Sequence, residues 1–138
     1  MRTMSEITVE RFQQQVARAL ARLYDLAFLE TSPLALLVSR ANGEGRSPGR
    51  ALRKAILDAI ESLRPPEGTR SEDAAWRPYR ILEGHYAAGT DRIELQKELS
   101  LAKSQYYREH ARALRALSRI LWHKWRLRAE TLSTPVSI

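Results

Sequence analysis

The sequence contains no cysteine. Disulfides, thiolate nucleophiles and cysteine-ligated zinc are excluded with it, and a cytoplasmic setting is the default reading. Long apolar runs are lacking too. Nothing approaches the ~18–20 residues of a membrane span, so no membrane partner is expected. The opening Met1-Arg-Thr-Met-Ser-Glu6 leads into an amphipathic stretch and not an apolar one, so no secretion signal is expected. No segment alternates polar and apolar residues, which removes strands and leaves an all-α class. His85, His110 and His123 share no metal-ligand spacing, and a HExxH arrangement is missing. The carboxylates form no paired constellation. The reading is therefore not an enzyme, with no metal and no cofactor. Acids are the scarcer charge: 16 against 23 Lys/Arg, a net of +7, which points to a polyanionic partner.

The 138 residues suit one domain or two small helical lobes, and their 43% hydrophobic content is enough for a core. Phe12, Val16, Leu20, Leu23 and Ala27 recur at helical steps, so a first helix is predicted from about Thr8 to Tyr24. Asp25 can cap a short helix, Leu26 to Glu30. Ser32-Pro33 and Ser47-Pro48 each pair an N-cap with proline at the first helical position, where its missing N–H costs nothing. Leu34, Leu36, Leu37 and Val38 predict a short apolar turn or two. The glycine-containing stretch 40–49 lacks a preceding strand and the Gly-Lys-Ser/Thr ending of a phosphate loop, so it reads as a connector. Leu52, Ile56, Ile60 and Leu63 then share one helical face. Arg64-Pro65-Pro66-Glu67-Gly68 marks a lobe boundary.

Ser71 is a candidate cap for a segment running through Trp76 to Ala88. Pro78 sets or bends its start, and Gly89 stops it. At Asp91 a helix of about two turns is predicted, with Asp91 and Glu94 as a capping box. After Ser100-Leu101 comes a much longer helix. Two helices joined by such a turn are the frame of a helix-turn-helix, whose second helix enters the DNA major groove.

Projected at about 100° per residue, the long helix divides into two sides. Tyr106, Ala113, Leu114, Leu117, Ile120 and Leu121 gather on one; Arg108, Arg112, Arg115, Arg119 and Arg126 gather on the other. Residues 101–138 hold eight Lys/Arg and two acids, a net of +6 out of the whole chain's +7. Trp122 and Trp125, one turn apart, are predicted to cover the N-terminal lobe or a second chain.

These residues carry a resemblance. Glu98-Leu99-Ser100-Leu101-Ala102-Lys103, followed by Ala111-Arg112-Ala113-Leu114-Arg115-Ala116-Leu117, resembles region 4 of bacterial sigma factors. It is similar, more loosely, to the C-terminal helix-turn-helix of response-regulator-type transcription factors. The preceding Tyr79-Arg-Ile-Leu82-Glu-Gly-His-Tyr86-Ala-Ala-Gly89 resembles the family's first helix. The match covers about residues 76–121. The chain as a whole is also similar to a helical module of bacterial regulatory proteins, through its early Leu-Tyr-Asp and late Gln-Tyr-Tyr-Arg-Glu. The resemblance implies that Leu95, Leu99, Leu101 and Tyr106 pack the two helices together. It implies base-edge contacts from Ser104, Tyr107 and Arg108, and phosphate contacts from Lys103 and Arg112. Three positions depart from the pattern. Gln96 stands where a small residue is usual, Ser100 replaces the turn glycine, and Glu109 takes a normally apolar position where it would repel phosphate.

The combined reading has an N-terminal helical lobe (1–64, for dimerisation or regulation) packed on a helix-turn-helix lobe (70–130) with a long final helix. Residues 131–138 are a flexible tail. The expected function is that of a DNA-binding module in a bacterial transcription regulator. Lys103, Ser104, Tyr107, Arg108, Arg112, Arg115 and Arg119 would face double-stranded DNA. The alternative is an adaptor that keeps the fold without reading DNA and meets a signalling protein, or a second copy of itself. RNA binding through the same basic face is a third class with no signature of its own.

Overall fold

In a computed structural model the described residues are 4–42 and 47–133, with side chains described for 9–38 and 47–125. Every regular element among them is helical, so the protein is all-α. The elements are α1 (Met4–Ala21), α2 (Leu26–Glu30), α3 (Pro33–Asn42), α4 (Pro48–Glu61), a 3₁₀ turn (Ala74–Trp76), α5 (Arg77–Leu82), a π-helical turn (Glu83–Ala87), α6 (Arg92–Leu99) and α7 (Lys103–Ser133). No described helix is long and apolar enough to cross a membrane. The chain divides into two compact units: Leu57–Leu117, and Met1–Ile56 together with Ser118–Ile138. Both α4 and α7 contribute to each. Helix α7 runs on to Ser133, and 134–138 lie outside the described residues.

In the unit containing the N-terminus, Phe12, Val16, Leu20 and Leu23 are buried, as their spacing predicts. The first helix nevertheless ends at Ala21, earlier than the predicted Tyr24. Tight backbone bonds (Arg22 N–H to Ala19, Leu23 N–H to Leu20, Asp25 N–H to Arg22) close a turn there. The turn frees Asp25, whose carboxylate accepts the Phe28 N–H at 3.1 Å and starts α2 on a new axis. Ala27 therefore leaves the first helix's apolar face and is exposed. Ser32 Oγ accepts the Leu34 N–H at 3.2 Å, and Ser47 Oγ accepts the Arg50 N–H at 3.3 Å, so both predicted Ser-Pro starts form. α3 is longer than the predicted turn or two. It continues to Asn42, and of the predicted connector 40–49, residues 43–46 lie outside the described residues. The Phe12 ring meets Trp122 edge-on at 5.1 Å and Trp125 at 5.7 Å, so both tryptophans close this unit's core from within the chain.

The other unit begins with the end of α4. Ser71 does not cap the segment after it. Its hydroxyl donates to Glu72 at 2.8 Å, and Asp73 does the capping by accepting the Ala75 N–H at 2.9 Å. Pro78 then sits in the first turn of α5, where proline needs no donor. The π-helical turn shifts the helical register by one residue, and adjacent Ile81 and Leu82 are both fully buried. Ile81, Leu95, Leu101 and Tyr106 form the local core, with Leu99 packed against it.

Candidate nucleic-acid interface

The site is set by the joint between α6 and α7. Asp91 caps α6 as predicted, accepting the Ile93 N–H at 3.3 Å, but among the described residues no bond returns from Glu94, so the predicted box does not form. At the other end Ser100 takes the left-handed conformation (φ 56°, ψ 44°). The Leu101 N–H reaches back to the Gln96 carbonyl at 2.9 Å, and the Ser100 N–H to Lys97 at 3.2 Å. That double closure is a Schellman stop, with Leu101 packing on Leu95 as its apolar partner. The chain then re-enters a helix at once, with Tyr106 N–H bonded to the Ala102 carbonyl at 2.8 Å. Two short-range devices thus fix the turn between the helices, and the buried leucines and Tyr106 fix their crossing.

Burial on α7 follows the projected division. Tyr106, Ala113, Leu117 and Leu121 are buried, and Leu114 and Ile120 are half-buried. Lys103, Ser104, Tyr107, Arg108, Arg112 and Arg115 are all exposed and lie in the same unit. The structure thus brings these six onto the exposed side of one helix, directly after the turn. Arg119 is exposed on the same helix but belongs to the unit of the N-terminus, and the side chain of Arg126 lies outside the described residues.

The stripe is not free of acid. The Glu109 carboxylate stands 3.8 Å from Arg112 and 3.5 Å from Arg77, its side chain only 15% exposed. One carboxylate between two guanidiniums leaves the group cationic, and Arg77 explains how an acid is tolerated at a position that the resemblance makes apolar. Among the described residues no carboxylate pairs with Lys103, Arg108 or Arg115. Sequence spacing does not reveal Arg77, because 32 residues separate it from Glu109. It also misses Arg92. The Arg92 guanidinium lies over the Tyr107 ring, 5.4 Å from its centroid, and donates to the Gln96 side chain.

Behind this face lies a histidine–tyrosine cluster. The Tyr86 hydroxyl and His110 Nε2 are 2.7 Å apart. His85 Nδ1 is 3.2 Å from the Thr90 carbonyl, which can only accept, so that nitrogen carries a proton. Burial, and then the charge of His85, hold the His110 pKa below its ordinary value, while burial raises that of Tyr86. Among the described residues no three histidine or carboxylate side chains gather as a metal site would need. Comparison of the chain with family models, curated proteins and solved structures finds no match.

Proposed function

We propose that this chain is a DNA-binding module of a bacterial transcription regulator, its α6–α7 joint acting as a helix-turn-helix similar to that of sigma region 4. One observation carries the reading. Lys103, Ser104, Tyr107, Arg108, Arg112 and Arg115 are exposed together on the helix that follows the turn, with Glu109 the one acid ion-paired to them among the described residues. In this reading the arginines and Lys103 contact phosphates, giving affinity that falls steeply with salt. Arg108 can bond a guanine edge bidentately, with Ser104 beside it. The unit containing α1–α3 serves dimerisation or coupling to a signalling protein.

Glu109 favours a second reading, an adaptor that keeps the fold and presents the arginines to an acidic protein. Titrating random duplex DNA at two salt concentrations separates the two. Under the first reading the wild type binds weakly and salt-sensitively, and Arg108→Ala with Arg112→Ala lowers the log–log salt slope by about 1.8, two phosphate contacts. A wild type that gives no shift at low salt, or a folded double variant that binds unchanged, overturns it.

A further inference from the structure

We infer that Tyr107 is the seat of a phosphate-binding Arg92 and not a base reader, and that Arg92, Gln96 and Tyr107 form one anion-binding unit across the α6–α7 joint. This rests on the DNA-binding reading above and adds a contact which neither the spacing nor the resemblance assigns.

The ordering of Arg92 can be traced from the core outward. Tyr106 is 2% exposed and belongs to the cluster with Ile81, Leu95 and Leu101. The Tyr107 ring meets the Tyr106 ring edge-on at 5.9 Å and 79°, while half of Tyr107 stays exposed. The Arg92 guanidinium covers a face of that ring at 5.4 Å, within cation–π range. Gln96, one turn along α6, accepts a hydrogen bond from Arg92 Nη1. The guanidinium is therefore held by a ring face and by an amide oxygen that adds no negative charge. Among the described residues no carboxylate pairs with it. The nearest in sequence, Asp91, has Oδ2 engaged by the Ile93 N–H.

A guanidinium held by a ring face and an amide oxygen, with no ion-pair partner among the described residues and with spare N–H donors, suits a phosphate diester, because its side-chain ordering precedes binding. The ring face under Arg92 is in turn closed to a stacking base. Gln96, a departure from the small residue that the resemblance places there, gains a purpose as the second support.

The test is fluorescence anisotropy of a duplex DNA probe over a salt series, with thermal melts to check that each variant folds. Arg92→Ala should lower the log–log salt slope by about 0.9, one phosphate. Tyr107→Ala should weaken binding about two- to fivefold, the size of an exposed cation–π contact. Tyr107→Phe should bind as the wild type does, and Arg92→Ala/Tyr107→Ala should match Arg92→Ala alone. In the free protein, NMR should show ring-current-shifted Arg92 side-chain protons that Tyr107→Phe keeps and Tyr107→Ala loses. Equal losses in the Phe and Ala variants, additive losses in the double variant, or an unchanged slope in Arg92→Ala would overturn the inference while wild-type binding leaves the DNA reading standing. A wild type with no affinity for duplex at low salt overturns both.

Discussion

A β-carbon placed on Gly84 would stand 2.7 Å from Cδ2 of Leu95. The π-helical turn brings residue 84 against α6 at this point, and only hydrogen fits between backbone and leucine. Leu95 is 3% exposed among Ile81, Leu101 and Tyr106, so it has little room to turn aside. Gly84→Ala is predicted to destabilise the protein by about 1 kcal/mol, since overpacking of ~1–3 kcal/mol outweighs the helical preference gained. In a Leu95→Ala background the same change should become neutral or stabilising, because the obstructing methyl is gone. Urea unfolding of the four proteins closes the cycle. A Gly84→Ala cost that persists without Leu95 would show that the contact is not its source.

Ser100 holds a left-handed backbone that disfavours any side chain. Ser100→Gly is predicted to raise stability by about 0.5–1 kcal/mol, the relief of strain exceeding the extra freedom of the unfolded glycine. A higher urea midpoint with unchanged slope is the expected result. A lower midpoint would mean that the serine hydroxyl contributes more to the turn than its strained backbone costs.

What can be read from the sequence divides along the range of the interactions. Asp25, Ser32, Ser47 and Asp91 act on backbone two or three residues ahead, so their caps are visible in the string. The buried faces of α1, α4 and α7 follow from period alone. Ser71 misleads because Asp73, two residues on, offers a carboxylate, which competes better for the same helix start. The π-helical turn is illegible in the string, and so is the contact it makes between Gly84 and Leu95 on separate elements. For the site, exposure of the residues after the turn follows from the same period that buries Tyr106. The partners of that face, Arg77 for Glu109 and Arg92 for Tyr107, arise from chain crossings that spacing does not encode.

His110 makes stability depend on pH. Burial, then the charge of His85, lowers its pKa in the folded protein below the ordinary 6.5. The unfolded chain therefore takes up the proton first as the solution is acidified. The contribution of neutral His110 is complete above pH 6.5 and is lost as pH falls from there through the lower pKa of the folded protein. Protonated His110 can only donate from Nε2, so the Tyr86 hydroxyl must then accept. Urea midpoints should drop between neutral pH and pH ~5.5, within the histidine range. His110→Gln should flatten that drop. A drop of the same size in the variant would assign the dependence elsewhere.

Glu109 is predicted to set stability against duplex affinity. Its carboxylate bridges Arg77 and Arg112, and with 15% exposure it is better sheltered than either arginine. Glu109→Gln removes the counter-charge of a half-buried Arg77, a loss of roughly 1 kcal/mol in a partly solvated pair. The same change deletes the one acid beside the arginine stripe. If that stripe meets phosphates, duplex affinity should rise about two- to fivefold at low salt, and the gain should shrink as the Debye length shortens. Anisotropy at two salt concentrations, beside a urea titration, reads both quantities. Weaker or unchanged DNA binding in a folded Glu109→Gln protein would place the phosphate path away from Arg112. A protein that loses stability and gains affinity would show the acid to be structural on one side and inhibitory on the other.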